Sequence, residues 1–136
     1  MLVNTHVLIV DDSEDDREMY ARFLSQRGFQ ITEAGDGVEA VRKATDLNPN
    51  LIVMDLWLPL MGGWEASRRL KGDDRTKHIP IVVVTGRNFV TADALGCDAC
   101  LIKPCSPQKL YAEILRVLSR PKAMRSPASS KTTGAR

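Results

Sequence analysis

Five polar side chains in this 136-residue chain stand where apolar runs end. Asp11 and Asp12 follow Val7-Leu8-Ile9-Val10, Asp55 follows Leu51-Ile52-Val53-Met54, Thr85 closes Ile81-Val82-Val83-Val84, and Lys103 follows Ala99 to Ile102. Short apolar runs bounded by turn signals read as strands buried on both faces of a parallel sheet, whose carboxyl ends share the edge where ligands bind. Three carboxylates brought together there repel one another, and a divalent cation relieves the repulsion. Mg²⁺ suits such a place because it takes one or two protein carboxylates, waters and phosphate oxygens. Asp55 is then available as a nucleophile, since carboxylates form aspartyl phosphates. Phosphoryl transfer asks mainly for in-line positioning and neutral company for the equatorial oxygens. Mg²⁺, the Lys103 ammonium and the Thr85 hydroxyl would each take one.

The elements that must position these groups alternate along the chain. After the first run, Ser13 with Asp16 three residues on forms a capping-box pattern, and Glu14, Asp15 and Asp16 occupy a first turn where the helix dipole favours acids. A helix from Ser13 to Arg27 is expected, with Met19, Tyr20, Phe23 and Leu24 inward and Gly28 as its stop. Phe29 to Glu33 reads as a weaker strand, Gly35-Asp36-Gly37 as a turn, and Val38 to Leu47 as a helix with Ala40, Val41, Ala44 and Leu47 on one face. The stretch Leu51 to Gly63 contains the third strand. A helix from Gly63 to Lys71 should turn Ala66 and Leu70 inward and Arg68, Arg69 and Lys71 outward. Arg87 to Leu95 leaves room for a short or irregular fourth helix. Ser106-Pro107 is an N-cap with proline at the first helical position, opening a helix on Leu110, Tyr111, Ile114, Val117 and Leu118. Five βα units in alternation predict a three-layer α/β fold with helices on both faces of a parallel sheet.

Composition narrows the function classes. Hydrophobic content of 43% and charged content of 26% are globular values. The net charge of +2 is uneven: residues 120–136 carry five basic residues and no acid, leaving 14 basic residues against 17 acids in the body. Direct nucleic-acid binding by the body is unsupported. No apolar run approaches the roughly 20 residues of a membrane helix, and Val7 to Val10 is too short for a signal-peptide core, so a cytoplasmic protein is expected. Residues 1–119 read as one domain and 120–136 as a basic, Pro/Ser/Thr-rich disordered tail. Cys97, Cys100 and Cys105 are an odd count without an export signal, and no nearby histidine completes a zinc site; small buried thiols are expected. His6 and His78 read as surface residues, and Trp57 and Trp64 as packing residues.

Four segments in this order resemble the receiver domain of bacterial two-component response regulators: LIVDDSEDDREMY, LIVMDLWLPLMGGWE, IPIVVVTG and CLIKP. The resemblance covers residues 5–119. It implies a flavodoxin-like fold with strand order 2-1-3-4-5. It also implies that Asp55 is the phosphoacceptor, Asp12 the direct Mg²⁺ ligand and Asp11 a ligand acting mainly through water. The main-chain carbonyl of Trp57 would complete the metal shell, Thr85 and Lys103 would contact the phosphoryl group, and Lys103-Pro104 would be a cis peptide. Such a domain takes its phosphoryl group from a phosphohistidine on a sensor histidine kinase or a histidine phosphotransfer protein and slowly hydrolyses it. It is not otherwise an enzyme. A single-domain regulator signalling by protein contact or onward transfer is the expectation. The family usually has an aromatic residue three places before the lysine; here that place is Cys100.

Three rival readings fit these residues less well. A haloacid-dehalogenase-like phosphatase needs an acid two residues after its nucleophile, where this chain has Trp57. A pseudo-receiver signalling without phosphate, through Cys100, leaves the converging polar set unexplained. Dinucleotide binding fails because acids rather than glycines follow the first strand and would repel a pyrophosphate.

Overall fold

The computed structural model describes residues 4–86 and 96–120. The expected helix over 87–95 and the tail from 121 lie outside the described residues. Five strands, β1 (His6–Val10), β2 (Gln30–Ala34), β3 (Leu51–Met54), β4 (Ile81–Thr85) and β5 (Ala99–Ile102), form one sheet. Every pairing is parallel and the order is β2-β1-β3-β4-β5. The four described helices are α1 (Glu14–Gln26), α2 (Gly37–Leu47), α3 (Gly63–Lys71) and α4 (Pro107–Leu118).

The alternation of side chains along a strand divides the core in two. Val7, Ile9, Leu51, Val53, Val82 and Val84 face α1 and α4, where they meet Tyr20, Leu24, Leu110, Ile114 and Val117. Leu8, Val10, Ile52, Met54, Ile81 and Val83 face α2 and α3, where they meet Ala40, Ala44, Ala66 and Leu70. The near-continuous apolar runs are thus explained: with helices on both faces, neither set of alternate residues meets water.

Helix ends follow the capping residues in the sequence. Ser13 Oγ accepts from the Asp16 amide, Asp36 Oδ1 from the Glu39 amide, and Ser106 Oγ from the Lys109 amide. Each such cap stabilises its helix by about 1 kcal/mol. The capping box at Ser13 is half made. The Ser13 amide donates to Asp11 Oδ1 at 2.9 Å, and the Asp16 carboxylate turns elsewhere.

Five residues depart from their expected burial. Met19 and Leu47 are exposed, because the buried stripes of α1 and α2 are narrower than the apolar pattern suggested and rest on Tyr20, Ala21 and Leu24, and on Gly37, Ala40 and Ala44. Trp57 and Trp64 are about half-exposed and lie outside both core clusters. Lys71, expected outward, is buried. Its Nζ donates to the Ile79 carbonyl at 2.9 Å and lies 3.9 Å from Asp98 Oδ2. Asp98, with no exposed side-chain surface, also accepts from the Ile81 amide and from Arg120 at 3.0 Å each. Arg120, placed in the tail by composition, is therefore tied to the folded body.

Candidate phosphoacceptor site

The chain passes from β1 to β2 on one side of the sheet and continues through β3, β4 and β5 on the other. The ends of β1 and β3 thus flank the point where strand order reverses. Asp11 and Asp12 leave β1 there and Asp55 leaves β3. The three carboxylates can each offer an oxygen within 4.8 Å of the others. Among the described residues they are the one grouping of three or more His, Cys, Asp or Glu side chains so placed. Asp11 and Asp55 are buried and Asp12 is exposed.

Each buried acid is oriented by backbone. Asp11 Oδ1 accepts from the Ser13 amide at 2.9 Å and Asp55 Oδ1 from the Trp57 amide at 3.1 Å. Arg17 braces the first loop, donating to the Asp11 carbonyl at 2.7 Å and to Glu33 at 3.0 Å. The loop after Asp55 is held by close approach. A Cβ on Gly63 would lie 2.2 Å from the Asp55 carbonyl oxygen, and one on Gly37 would lie 1.9 Å from that of Met61. Real Cβ atoms do not come so near to backbone, so both positions exclude any larger residue.

Lys103 reaches this pair from the end of β5. The Lys103-Pro104 peptide is cis, as the resemblance implied. Its Nζ donates to Asp11 Oδ2 at 2.8 Å, Asp55 Oδ2 at 3.1 Å and Asp16 Oδ2 at 3.2 Å. Burial alone would depress the lysine's pKa, but the hydrogen bonds and charges of Asp11 and Asp55 outweigh it and hold the ammonium above its ordinary range. Burial raises the Asp11 carboxyl, against the opposing pull of Lys103 and the Ser13 amide. The lysine shift reflects the negative charge gathered around it, and the Asp11 shift reflects chiefly the loss of water around that carboxylate.

Thr85 ends β4 beside β5, in register with Ile102, and its carbonyl accepts from the Lys103 amide at 2.8 Å. The side chain is fully buried. Its Oγ1 has no hydrogen-bond partner among the described residues. A buried hydroxyl without a partner costs about 1–3 kcal/mol and calls for an explanation, such as an acceptor that arrives with a ligand.

Asp11, Asp12, Asp55, Thr85 and Lys103 all lie at one edge of the sheet, and the Trp57 amide bonds to Asp55 Oδ1 beside them. Two further contributors had weaker signals. Asp16 was read only as a helix cap, and Tyr20 only as core; its hydroxyl donates to the Cys105 carbonyl at 2.8 Å and so ties α1 to the loop carrying Lys103. The three cysteines are not disulfide-bonded, and burial raises all three thiols, Cys97 to about 12. His6 and His78, expected as plain surface residues, hydrogen-bond Thr32 at 2.7 Å and Asn48 at 2.9 Å. No described helix is long and apolar enough to cross a membrane.

Comparison with known proteins agrees with this geometry. The family model for the response regulator receiver domain matches residues 7–115. The chain is 37% identical over 123 residues to the phosphate regulon transcriptional regulatory protein PhoB of Pseudomonas aeruginosa, covering 88% of this chain and 54% of PhoB. It is 37% identical over 122 residues to the response regulator MprA of Mycobacterium leprae, covering 85% and 52%. The chain thus spans about half the length of the curated relatives it matches. The chemotaxis response regulator CheY4 of Vibrio cholerae superposes with a TM-score of 0.76 at 29% identity, covering 85% of this chain and 98% of that one. The chain belongs to the response regulator receiver domain family, the signalling modules of two-component systems.

Proposed function

We propose that Asp55 accepts a phosphoryl group from a phosphohistidine on a sensor histidine kinase or histidine phosphotransfer protein. An Asp55 carboxylate oxygen attacks phosphorus in line, the bond to the donor imidazole nitrogen breaks, and its electron pair leaves with that nitrogen. The observation that carries this reading is the Lys103 ammonium bridging Asp11 and Asp55 at 2.8 and 3.1 Å. A cation so placed already stands beside the acceptor, where the equatorial oxygens of an arriving phosphoryl group need neutralising. The unpartnered Thr85 hydroxyl offers a donor to a second phosphoryl oxygen.

Asp11, Asp12 and Asp55 would hold Mg²⁺, whose hard charge and preference for carboxylate and phosphate oxygens match this donor set. When bound it supplies charge neutralisation, while the chain's own residues orient the acceptor and hold the lysine. The Trp57 carbonyl would add a further oxygen to the set that holds Mg²⁺. Output through protein contact or onward transfer to another histidine belongs to the same reading.

Incubation with acetyl phosphate and Mg²⁺ should add one phosphoryl group, stable in acid and labile in alkali, that mass spectrometry places on Asp55. Asp55→Asn should abolish it. Labelling of Asp55→Asn as fast as the unaltered chain would refute the assignment.

A further inference from the structure

Lys103 has three N–H donors, and all three are engaged within the protein. Two go to the buried acids of the site. The third goes to Asp16, one turn before Tyr20 on α1. The three partners are unequal. The side chains of Asp11 and Asp55 are 5% and 9% exposed, whereas that of Asp16 is 40% exposed and at 3.2 Å makes the longest of the three contacts.

Asp16 does nothing else that explains its place. Its amide is capped by Ser13, but its carboxylate does not return to the Ser13 amide, which is already given to Asp11 Oδ1. The carboxylate instead reaches out of the helix toward the lysine. The site therefore has three carboxylates on one ammonium and Asp12 beside them, and a phosphoryl donor approaching Asp55 adds to the negative side. To donate to a phosphoryl oxygen, Lys103 must withdraw a hydrogen bond from one partner. The exposed, longest contact costs least to break, because water can satisfy the carboxylate that is left.

We propose, building on the phosphoacceptor reading of Asp55, that Asp16 is a positioning residue that selects among phosphodonors by occupying the lysine donor a phosphoryl oxygen needs. It works against the charge of the donor. A dianionic small molecule such as acetyl phosphate meets both the occupied ammonium and the Asp16 charge. A monoanionic donor such as phosphoramidate meets the same hydrogen bond with half the repulsion.

The test compares Asp55 labelling rates with these two donors, in Mg²⁺, for the unaltered chain, Asp16→Asn, Asp16→Ala and Asp15→Asn. Asp15 is an exposed acid in the same helical turn and is not among the three partners of Lys103, so it controls for net charge. Asp16→Asn and Asp16→Ala should label about five-fold faster with acetyl phosphate at low salt, the factor expected when one partly exposed charge a few ångströms away is removed. The gain should be smaller with phosphoramidate, and for both donors it should shrink toward 1 M salt. Asp15→Asn should change little. Equal gains with both donors, an equal gain in Asp15→Asn, or slower labelling in both Asp16 variants would each overturn the proposal. Circular dichroism melts confirm that the variants are folded. If the unaltered chain is not labelled at Asp55, the reading beneath the proposal fails; if it labels and Asp16 variants match it, only the role of Asp16 fails.

Discussion

Lys103 Nζ stands 3.1 Å from Asp55 Oδ2, and the two residues come from strands separated in the sheet by β4. The lysine crosses over the end of β4 to reach an acid on β3, and passes Thr85 as it does so. It is the one cation paired with the carboxylates of Asp11 and Asp55 among the described residues, so it holds together charges that would otherwise repel.

Replacing Lys103 by Met should therefore destabilise the protein by about 2–4 kcal/mol in the absence of divalent cation, because two buried carboxylates lose their counter-charge. Mg²⁺ should restore part of that loss, since a ligand that binds only the folded state stabilises it by mass action. Urea denaturation with Mg²⁺ and with chelator measures both. A Lys103→Met variant as stable as the parent in chelator would show that the acids tolerate each other unaided.

Gly63→Ala places a methyl group 2.2 Å from the Asp55 carbonyl oxygen and 2.7 Å from Leu56 Cα. Backbone must shift, at a cost of about 1–3 kcal/mol. The shift falls on the residue proposed to accept phosphate, so acetyl phosphate labelling should slow at least ten-fold, a near-attack geometry being sensitive to displacements of about 1 Å. Loss of stability with unchanged labelling would place the strain elsewhere.

Tyr20 connects stability to alkaline pH. Burial is the main cause that raises its phenol to about 12, and the hydroxyl donates to Cys105. A raised pKa stabilises fully below the unfolded value near 10, and that contribution is lost as pH climbs toward 12. The unaltered chain should lose about 2 kcal/mol over that window from this group. Tyr20→Phe should be about 1 kcal/mol less stable at pH 8, where the Cys105 carbonyl loses its donor, and the order should invert by about 1 kcal/mol as pH reaches 12. Urea midpoints across the range test it; a constant gap would exclude the phenol. The buried Cys97 thiol, raised by the same cause, lowers both curves alike.

Asp98→Ala leaves Lys71 and Arg120 around a vacated buried position and removes the acceptor of the Ile81 amide. It should cost about 3–5 kcal/mol, whereas Arg120→Ala, from the more exposed partner, should cost about 1–2 kcal/mol. Thermal melts of the two variants give the ranking, and the reverse order would remove Asp98 from the centre of the cluster.

What could be read from the sequence divides along physical lines. Strands end abruptly in buried parallel sheets, so Asp11, Asp55, Thr85 and Lys103 were visible as polar punctuation after apolar runs, and their convergence followed from parallel topology. Lys71 was misread because a charged residue at the end of an amphipathic helix ordinarily faces water, and its partner Asp98 lies 27 positions later. Asp16 was assigned to a local cap, its partner Lys103 being 87 positions away. Met19 and Leu47 show the opposite error: an apolar side chain at helical spacing is not buried when the small Ala21, Ala40 and Ala44 bring the helix close to the sheet on a narrower stripe. Local chemistry was legible, and pairings made by chain reversal were not.

The Asp98 cluster lies at the start of β5 and Lys103 at its end, while α4 carries the chain back between them. Twelve helical residues span about 18 Å, more than twice the screening length of about 8 Å in physiological salt. Lys103 and Asp98 are only five positions apart, at opposite ends of β5. β5 therefore offers the shortest covalent route by which a displacement at the proposed phosphoacceptor edge would reach the buried junction of Lys71, Asp98 and Arg120.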